Sequence, residues 1–392
     1  MMHAWRLIPA TVLAIVGATI QAEAFAQSPP APVLSFTPIG HEETVYSYSN
    51  DKCADDDVPD AAARAFRDAK GNVHLIAAAA NNRAMVGPDF NHLRNNCQVI
   101  YSAPLDPDPS HFDDQGWLES FYTTNGNDVY ALVSMDYHPD RHNIRCGKSD
   151  ATKGSCWYAA ITLVKSSDGG FRFSEGRDVE SRFVAGPSRP FSPDITTTAG
   201  ALVPSNIVKF NGAYYVLVSV ASDPPQQSGE CLLRATELKD AKSWKGWDGD
   251  GFNVSFIRPN KDSMDRKQSQ CKPLADIHHA PVRSLSVVRN GFVIVEMDSG
   301  NKDHKSAAIA QTSSDLIHWT APVQVMEIPV YTPGGGTKGQ HGYYYPSLID
   351  QDSKSLSFEA VGSSAYLYLT QYTYGAGRNR NIVRYPLRVE QK

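Results

Sequence analysis

The stretch Ser284-Leu-Ser-Val-Val-Arg-Asn-Gly-Phe-Val-Ile-Val-Glu-Met297, followed by Ser313-Ser-Asp-Leu-Ile-His-Trp319, decides the fold. It reads as a short apolar strand, a turn, a second apolar strand and a polar hairpin. Looser copies recur along the chain. Leu118 to Thr123 and Val129 to Met135 flank Asn125-Gly126, and Asn206 to Phe210 and Tyr214 to Val220 flank Asn211-Gly212. Ala61 to Phe66 and Val73 to Ala79 flank Asp68-Ala-Lys-Gly71, with a third strand expected at Gln98 to Ser102. The last copy runs from Tyr345-Pro-Ser-Leu-Ile349 through Ala365 to Thr370 and Ile382 to Tyr385. Sheet units repeated in this way close into a β-propeller, whose axis gathers side chains from every unit. Starts near Ala61, Trp117, Pro204, Pro281 and Tyr345 predict an all-β, five-bladed β-propeller. Residues 174–203 leave room for a sixth blade.

The ends of the repeat set the domain plan. Arg6, the apolar run Leu7 to Ile20, and Ala24 and Ala26 read as an export signal over residues 1–26, with the mature chain starting at Gln27. The run is short and broken by Pro9, which argues against a membrane anchor, and no later segment approaches spanning length. Residues 27–60 form a leader in which Val33 to Tyr48 supplies a ring-closing strand, and residues 61–392 form the propeller. All six cysteines (Cys53, Cys97, Cys146, Cys156, Cys231 and Cys271) lie beyond the signal, which suits disulfides in a secreted or periplasmic protein. Sequential pairing is the simplest of the roughly 15 arrangements open to six cysteines. With a net charge of -5 and no basic stripe, nucleic acid is a poor candidate partner.

Three phrases carry a resemblance to known proteins. Asp57-Val-Pro-Asp60 precedes the first inner strand; Ser167-Asp-Gly-Gly-Phe-Arg-Phe173 and Ser314-Asp-Leu-Ile-His-Trp319 form outer hairpins; Tyr345-Pro-Ser-Leu-Ile-Asp350 opens an inner strand. Over roughly residues 57–390 the chain resembles the five-bladed propeller glycosidases, the arabinanase, xylosidase and invertase-like superfamily. Its outer hairpins are also similar to those of sialidases, which have six blades. The resemblance implies a carboxylate base or nucleophile on the first inner strand and two more carboxylates on later blades, one of them the general acid. Asp60 fits the first role, with Asp57 as its rival, and Glu119 fits one of the others. The third blade departs from the pattern, offering Ser205-Asn206 where an acid is expected.

Glycosidic cleavage needs one group to protonate the leaving oxygen and another to supply or activate the nucleophile. Asp60, Glu119 and His278 are the catalytic candidates; the competing readings are a solvated loop acid for Asp60 and a strand-rim residue for Glu119. Asp136 and His138 sit two apart on a strand and share a face, so Asp136 is positioned to set the tautomer of His138. His278, His279 and Arg283 cluster before the fourth unit. Arg283 offers a rigid fork for a carboxylated or phosphorylated sugar, and Tyr345, beside Tyr343 and Tyr344, lines the opposite wall. Asp136, His138, His279, Arg283 and Tyr345 are accordingly read as substrate-binding. No cofactor is required by this chemistry; Asp55 to Asp57 would admit a structural calcium.

These readings predict an exported glycoside hydrolase acting on an extracellular or cell-envelope polysaccharide. Two alternatives stay open. One is a noncatalytic carbohydrate-binding propeller that stacks sugars on Tyr343 to Tyr345. The other is a polysaccharide lyase, in which His138 or His278, with Tyr345 and Arg283, removes a proton beside a uronate carboxylate.

Overall fold

A computed structural model describes residues 29–146, 156–222, 224–259, 269–277 and 281–392. The expected export signal, residues 1–26, lies outside these residues. The described chain is all-β, and its helical turns are three or four residues long. No described helix is long and apolar enough to cross a membrane.

The strands form four sheets, laid down almost in chain order. The first holds Arg64–Arg67, Val73–Ile76, Asn81–Gly87 and Arg94–Ser102. The next has ten strands in two antiparallel halves. One half is built on Gln115–Thr123, Val129–Tyr137 and Tyr158–Ser166; the other on Ala199–Pro204, Ala213–Val220, Gly229–Ala235 and Lys245–Gly246. A short parallel pairing of Ala199 and Gly200 with Tyr158 and Ala159 joins them. Ser284–Val288, Gly291–Asp298, Ala307–Ser313 and Val323–Glu327 make the third sheet. The last contains His341–Ile349, Ser364–Thr373 and Arg380–Gln391, and Leu34–Pro38 and Glu43–Tyr46 both pair antiparallel with Arg380–Gln391.

Turn chemistry explains much of this. Asn211 and Gly212 both have positive φ (46° and 78°) between the paired residues Phe210 and Ala213, as a tight two-residue hairpin requires. Asp168 and Asp315, from the two Ser-Asp phrases, fold their hairpins by accepting backbone N–H groups, from Phe171 and Arg172 and from Ile317 and His318 respectively. The expected third strand of the first unit is corrected: Asn81–Gly87 takes that place and Arg94–Ser102 follows it. Asn81-Asn-Arg83 looks too polar for a strand, but the buried Asn82 is satisfied by its own sheet and the neighbouring unit together. Its Nδ2 donates to the carbonyls of Tyr101 (3.2 Å) and Gly116 (2.8 Å), and its Oδ1 accepts from Leu118 N (2.9 Å). The third unit likewise begins earlier than expected, at Ala199.

Apolar faces pack between adjacent units. Phe66, Ile76 and Ile100 meet Leu118, Phe121 and Val133, while Leu75 and Met85 meet Ile349 and Tyr368. The first strands touch in succession. Arg64–Arg67 contacts Gln115–Thr123, which contacts Ala199–Pro204; Val208–Phe210 contacts Ser284–Val288, which contacts His341–Ile349, which contacts Arg64–Arg67 again. Residues at the start of these strands are therefore drawn toward one another.

The cysteines pair sequentially: Cys53 with Cys97, Cys146 with Cys156, and Cys231 with Cys271. Disulfides fit an oxidising, non-cytoplasmic environment. Cys53–Cys97 bridges residues 44 apart in sequence. Replacing both cysteines with alanine is expected to cost about 2–4 kcal/mol of stability, chiefly by freeing the unfolded chain. Urea denaturation of the double variant checks this, and an unchanged midpoint would contradict it.

Candidate active site

Asp60 sits just before the first strand, its backbone N–H bonded to Ala78 O (2.9 Å). Its carboxylate accepts the Tyr345 hydroxyl (3.0 Å) and the Arg380 guanidinium. Burial among protein atoms pushes its pKa up, while Arg380 and Tyr345 oppose that push. The side chain nevertheless keeps 35% of its surface open, because it lines a cavity of about 460 Å³. Tyr345 holds a left-handed backbone (φ 55°) where its strand slips register between Tyr344 and Ser347. Such strain in a tyrosine is characteristic of sites that need a side chain re-aimed. Asp57, the rival acid, is engaged elsewhere, accepting from Cys53 N (3.0 Å) and Asn95 Nδ2 (2.7 Å).

Gln115 and Trp117 line the same cavity from the next unit. Asp136 lies opposite Gln115 in register and therefore shares that face. Glu119 falls at a register shift between Leu118 and Ser120, a bulge that frees its side chain from strand alternation. Glu119 is 5% exposed and its Oε2 has no hydrogen-bond partner among the described residues. Burial pushes its pKa up to about 7; Arg283 and Arg64 pull against this, and Asp136 and Asp60 add to it. Asp136, with 16% of its side chain exposed, is also pushed up to about 7, by burial first and then by the charges of Asp60 and Asp114.

His138 approaches Asp136 only to 4.0 Å, too far for a hydrogen bond, so the expectation that Asp136 sets its tautomer is corrected. The ring instead stacks on Trp157 (centroids 4.2 Å apart, planes 12° apart), with Trp117 at 6.2 Å. Burial pushes its pKa down to about 4, which keeps it neutral near pH 7. Asp114 holds this corner, accepting the His138 backbone N–H (2.9 Å) and facing His142 Nε2 (3.1 Å).

Arg283 is the hub. Its guanidinium lies over the rings of Tyr345 (4.8 Å) and Tyr344 (5.6 Å) and acts electrostatically on Asp60, Glu119, Asp136 and Glu230. Arg64, buried just behind, donates to the carbonyls of Glu119 (2.8 Å) and Arg283 and to Ser347 Oγ (3.2 Å). His278 and His279 lie outside the described residues. Tyr343, expected as part of a stacking surface, is buried and donates to Glu42 (2.8 Å). Of the acids read as a calcium candidate, Asp55 binds Lys52 (2.6 Å) and Asp56 binds Asn81.

Glu230 was missed from sequence. It is 1% exposed at the start of Gly229–Ala235; its Oε1 accepts from Ser219 Oγ and Val282 N (3.2 Å), and burial pushes it up to about 7. An acid inside Gly229-Glu-Cys-Leu-Leu233, otherwise an apolar strand, was the available signal. Ser205-Asn206, where an acid was sought, ties strands together instead: Asn206 Oδ1 accepts Leu285 N (3.3 Å). Because Glu230 stays protonated in the folded protein after the unfolded chain has ionised, stability falls as pH rises from about 4.5 to about 7. Glu230→Gln is expected to be about 1–3 kcal/mol more stable than wild type at about pH 8, the gain vanishing below about pH 4.5. Urea midpoints at the two pH values check this; a variant weaker at both would contradict it.

No family model matches the chain, and no curated protein does. Solved structures do match. A family 117 glycoside hydrolase from Zobellia galactanivorans superposes with a TM-score of 0.50 at 9% identity, over 91% of this chain and 90% of that one. The chain shares its fold with a glycoside hydrolase. A protein of unknown function from Dyadobacter fermentans gives a TM-score of 0.51 at 11% identity, over 91% and 99%. An alpha-L-arabinanase from Cellvibrio cellulosa gives 0.45 at 12%, over 82% and 89%.

Proposed function

We propose that this chain is an exported glycoside hydrolase whose residues 61–392 form a five-bladed β-propeller, acting on an extracellular or cell-envelope polysaccharide. The succession of contacting first strands and the pairing of Leu34–Pro38 with the last strand support the ring. The observation that carries the chemistry is the contrast between Asp60, which lines the cavity, and Asp136 and Glu119, buried acids that share its electrostatic neighbourhood. Asp60 is open to the cavity and charge-paired, while Asp136 and Glu119 are held protonated up to about pH 7. Carboxyl groups held in environments this different, one charge-paired at an open wall and the others buried without a cationic hydrogen-bond partner among the described residues, divide into base and acid.

In this reading Asp60 is the base or nucleophile: Arg380 and Tyr345 offset part of the upward push of burial, and its carboxylate activates water or attacks the anomeric carbon. Asp136 protonates the leaving oxygen, since it carries a proton, touches solvent and feels the charge of Asp60 directly. Glu119, deeper and set against Arg283 and Arg64, tunes that proton. His278, on the same segment as Arg283, is the alternative donor. Asp136→Asn is expected to lower kcat by about 10²–10⁴-fold and to abolish the alkaline limb of the pH profile near pH 7. Glu119→Gln should keep the limb and move it to lower pH, because a neutral side chain no longer holds the proton on Asp136. A limb that survives Asp136→Asn and vanishes in Glu119→Gln would transfer the donor role to Glu119.

Digestion of neutral and acidic glycans, read by product mass and ultraviolet absorbance, tests the reaction class. Saturated products heavier by one water support hydrolysis. An unsaturated product would assign a lyase, and binding without product a carbohydrate-binding protein.

A further inference from the structure

We infer that the cavity takes a sugar bearing an oxyanion, a uronate carboxylate or a sulfate ester, and that Arg141 and Arg378 read it. This rests on the proposed reading of the cavity as a glycan site and names its substrate class. Three acids line the cavity, Asp56, Asp60 and Asp114, and each has an internal partner. Asp56 binds Asn81 and faces Arg83 (3.3 Å), Asp60 binds Arg380, and Asp114 faces His142 (3.1 Å).

Arg141 and Arg378 line the same cavity, are exposed, and form no ion pair with any described residue. Asp55, the acid that feels Arg378, is already bonded to Lys52 at 2.6 Å. His138, which feels Arg141, is neutral near pH 7. Two guanidinium groups with no ion-pair partner among the described residues therefore face a cavity whose acids each have another partner. They rise from different units, one on the turn Pro139–His142 and the other just before the strand Arg380–Gln391, so an anion entering the cavity meets positive charge from two sides. A guanidinium binds a carboxylate or sulfate through two parallel N–H···O bonds, which fixes the orientation of the sugar as well as its charge.

The test is binding of matched oligosaccharides, neutral, uronate-containing and sulfated, at low and high salt. Asp136→Asn serves as the inactive background because it leaves the Asp60–Arg380 pair in place. The anionic forms should bind about tenfold or more tightly than the neutral one, with the preference shrinking at high salt. Arg141→Gln with Arg378→Gln should erase the preference; both side chains are exposed, and the urea midpoint verifies the fold. The uronate and sulfate arms show which oxyanion is read. Equal affinity for neutral and anionic forms, or a preference that survives the double replacement, overturns the inference. If wild type meanwhile cleaves neutral glycans, the hydrolase reading stands without it. Absence of binding and of product from every glycan overturns both.

Discussion

Asp60→Asn is expected to lower kcat by about 10³-fold with little change in KM. An amide can neither accept the proton of an attacking water nor attack an anomeric carbon, and general base catalysis accounts for about 10²–10⁴-fold in such reactions. The replacement is nearly isosteric. Asparagine's oxygen can still accept from Tyr345, so the loss should appear in turnover rather than in folding. What it removes is the charge that Arg380 balances. Activity within about tenfold of wild type, in a variant with an unchanged denaturation midpoint, would remove Asp60 from the mechanism.

Arg64→Met should be the most damaging change to stability among the residues around the cluster. Arg64 is buried, and its guanidinium ties the carbonyls of Glu119 and Arg283 to Ser347 Oγ, drawing together strands from three sheets. Methionine matches its apolar stem and leaves those acceptors without a donor. Each orphaned buried acceptor costs about 1–3 kcal/mol, so the expected loss is about 3–5 kcal/mol in urea denaturation. Arg64→Lys should recover little, since an ammonium cannot span the three acceptors. A loss below about 1 kcal/mol would show that these contacts are dispensable.

How much of this was legible in the sequence depends on the range of the interaction. Apolar alternation and turn residues act locally, so the hairpins at Asn211-Gly212 and Arg289-Asn290 could be read directly. The sheet pattern followed, as did the sequential disulfides. Asn81–Gly87 was missed because its polar side chains find partners far along the chain, Asn82 on Gly116 and Leu118 and Asn81 and Arg83 on Asp56, and local composition carries no trace of that. The site divides in the same way. Asp60, Glu119, Asp136, Arg283 and Tyr345 could be proposed from their places at strand ends, and they do share one electrostatic neighbourhood. The partner of Asp60, Arg380, lies 320 residues away, and Glu230 reaches Arg283 only through folding. The bulge at Glu119 and the strained backbone of Tyr345 are likewise properties of strand pairing.

The most direct test of the central claim is reducing-sugar release from a panel of neutral and acidic glycans by wild type and Asp60→Asn side by side. The account predicts release from at least one glycan by wild type, with saturated products, and a loss of about 10³-fold in the variant. Equal release by both proteins, or none from any glycan by wild type, would contradict it.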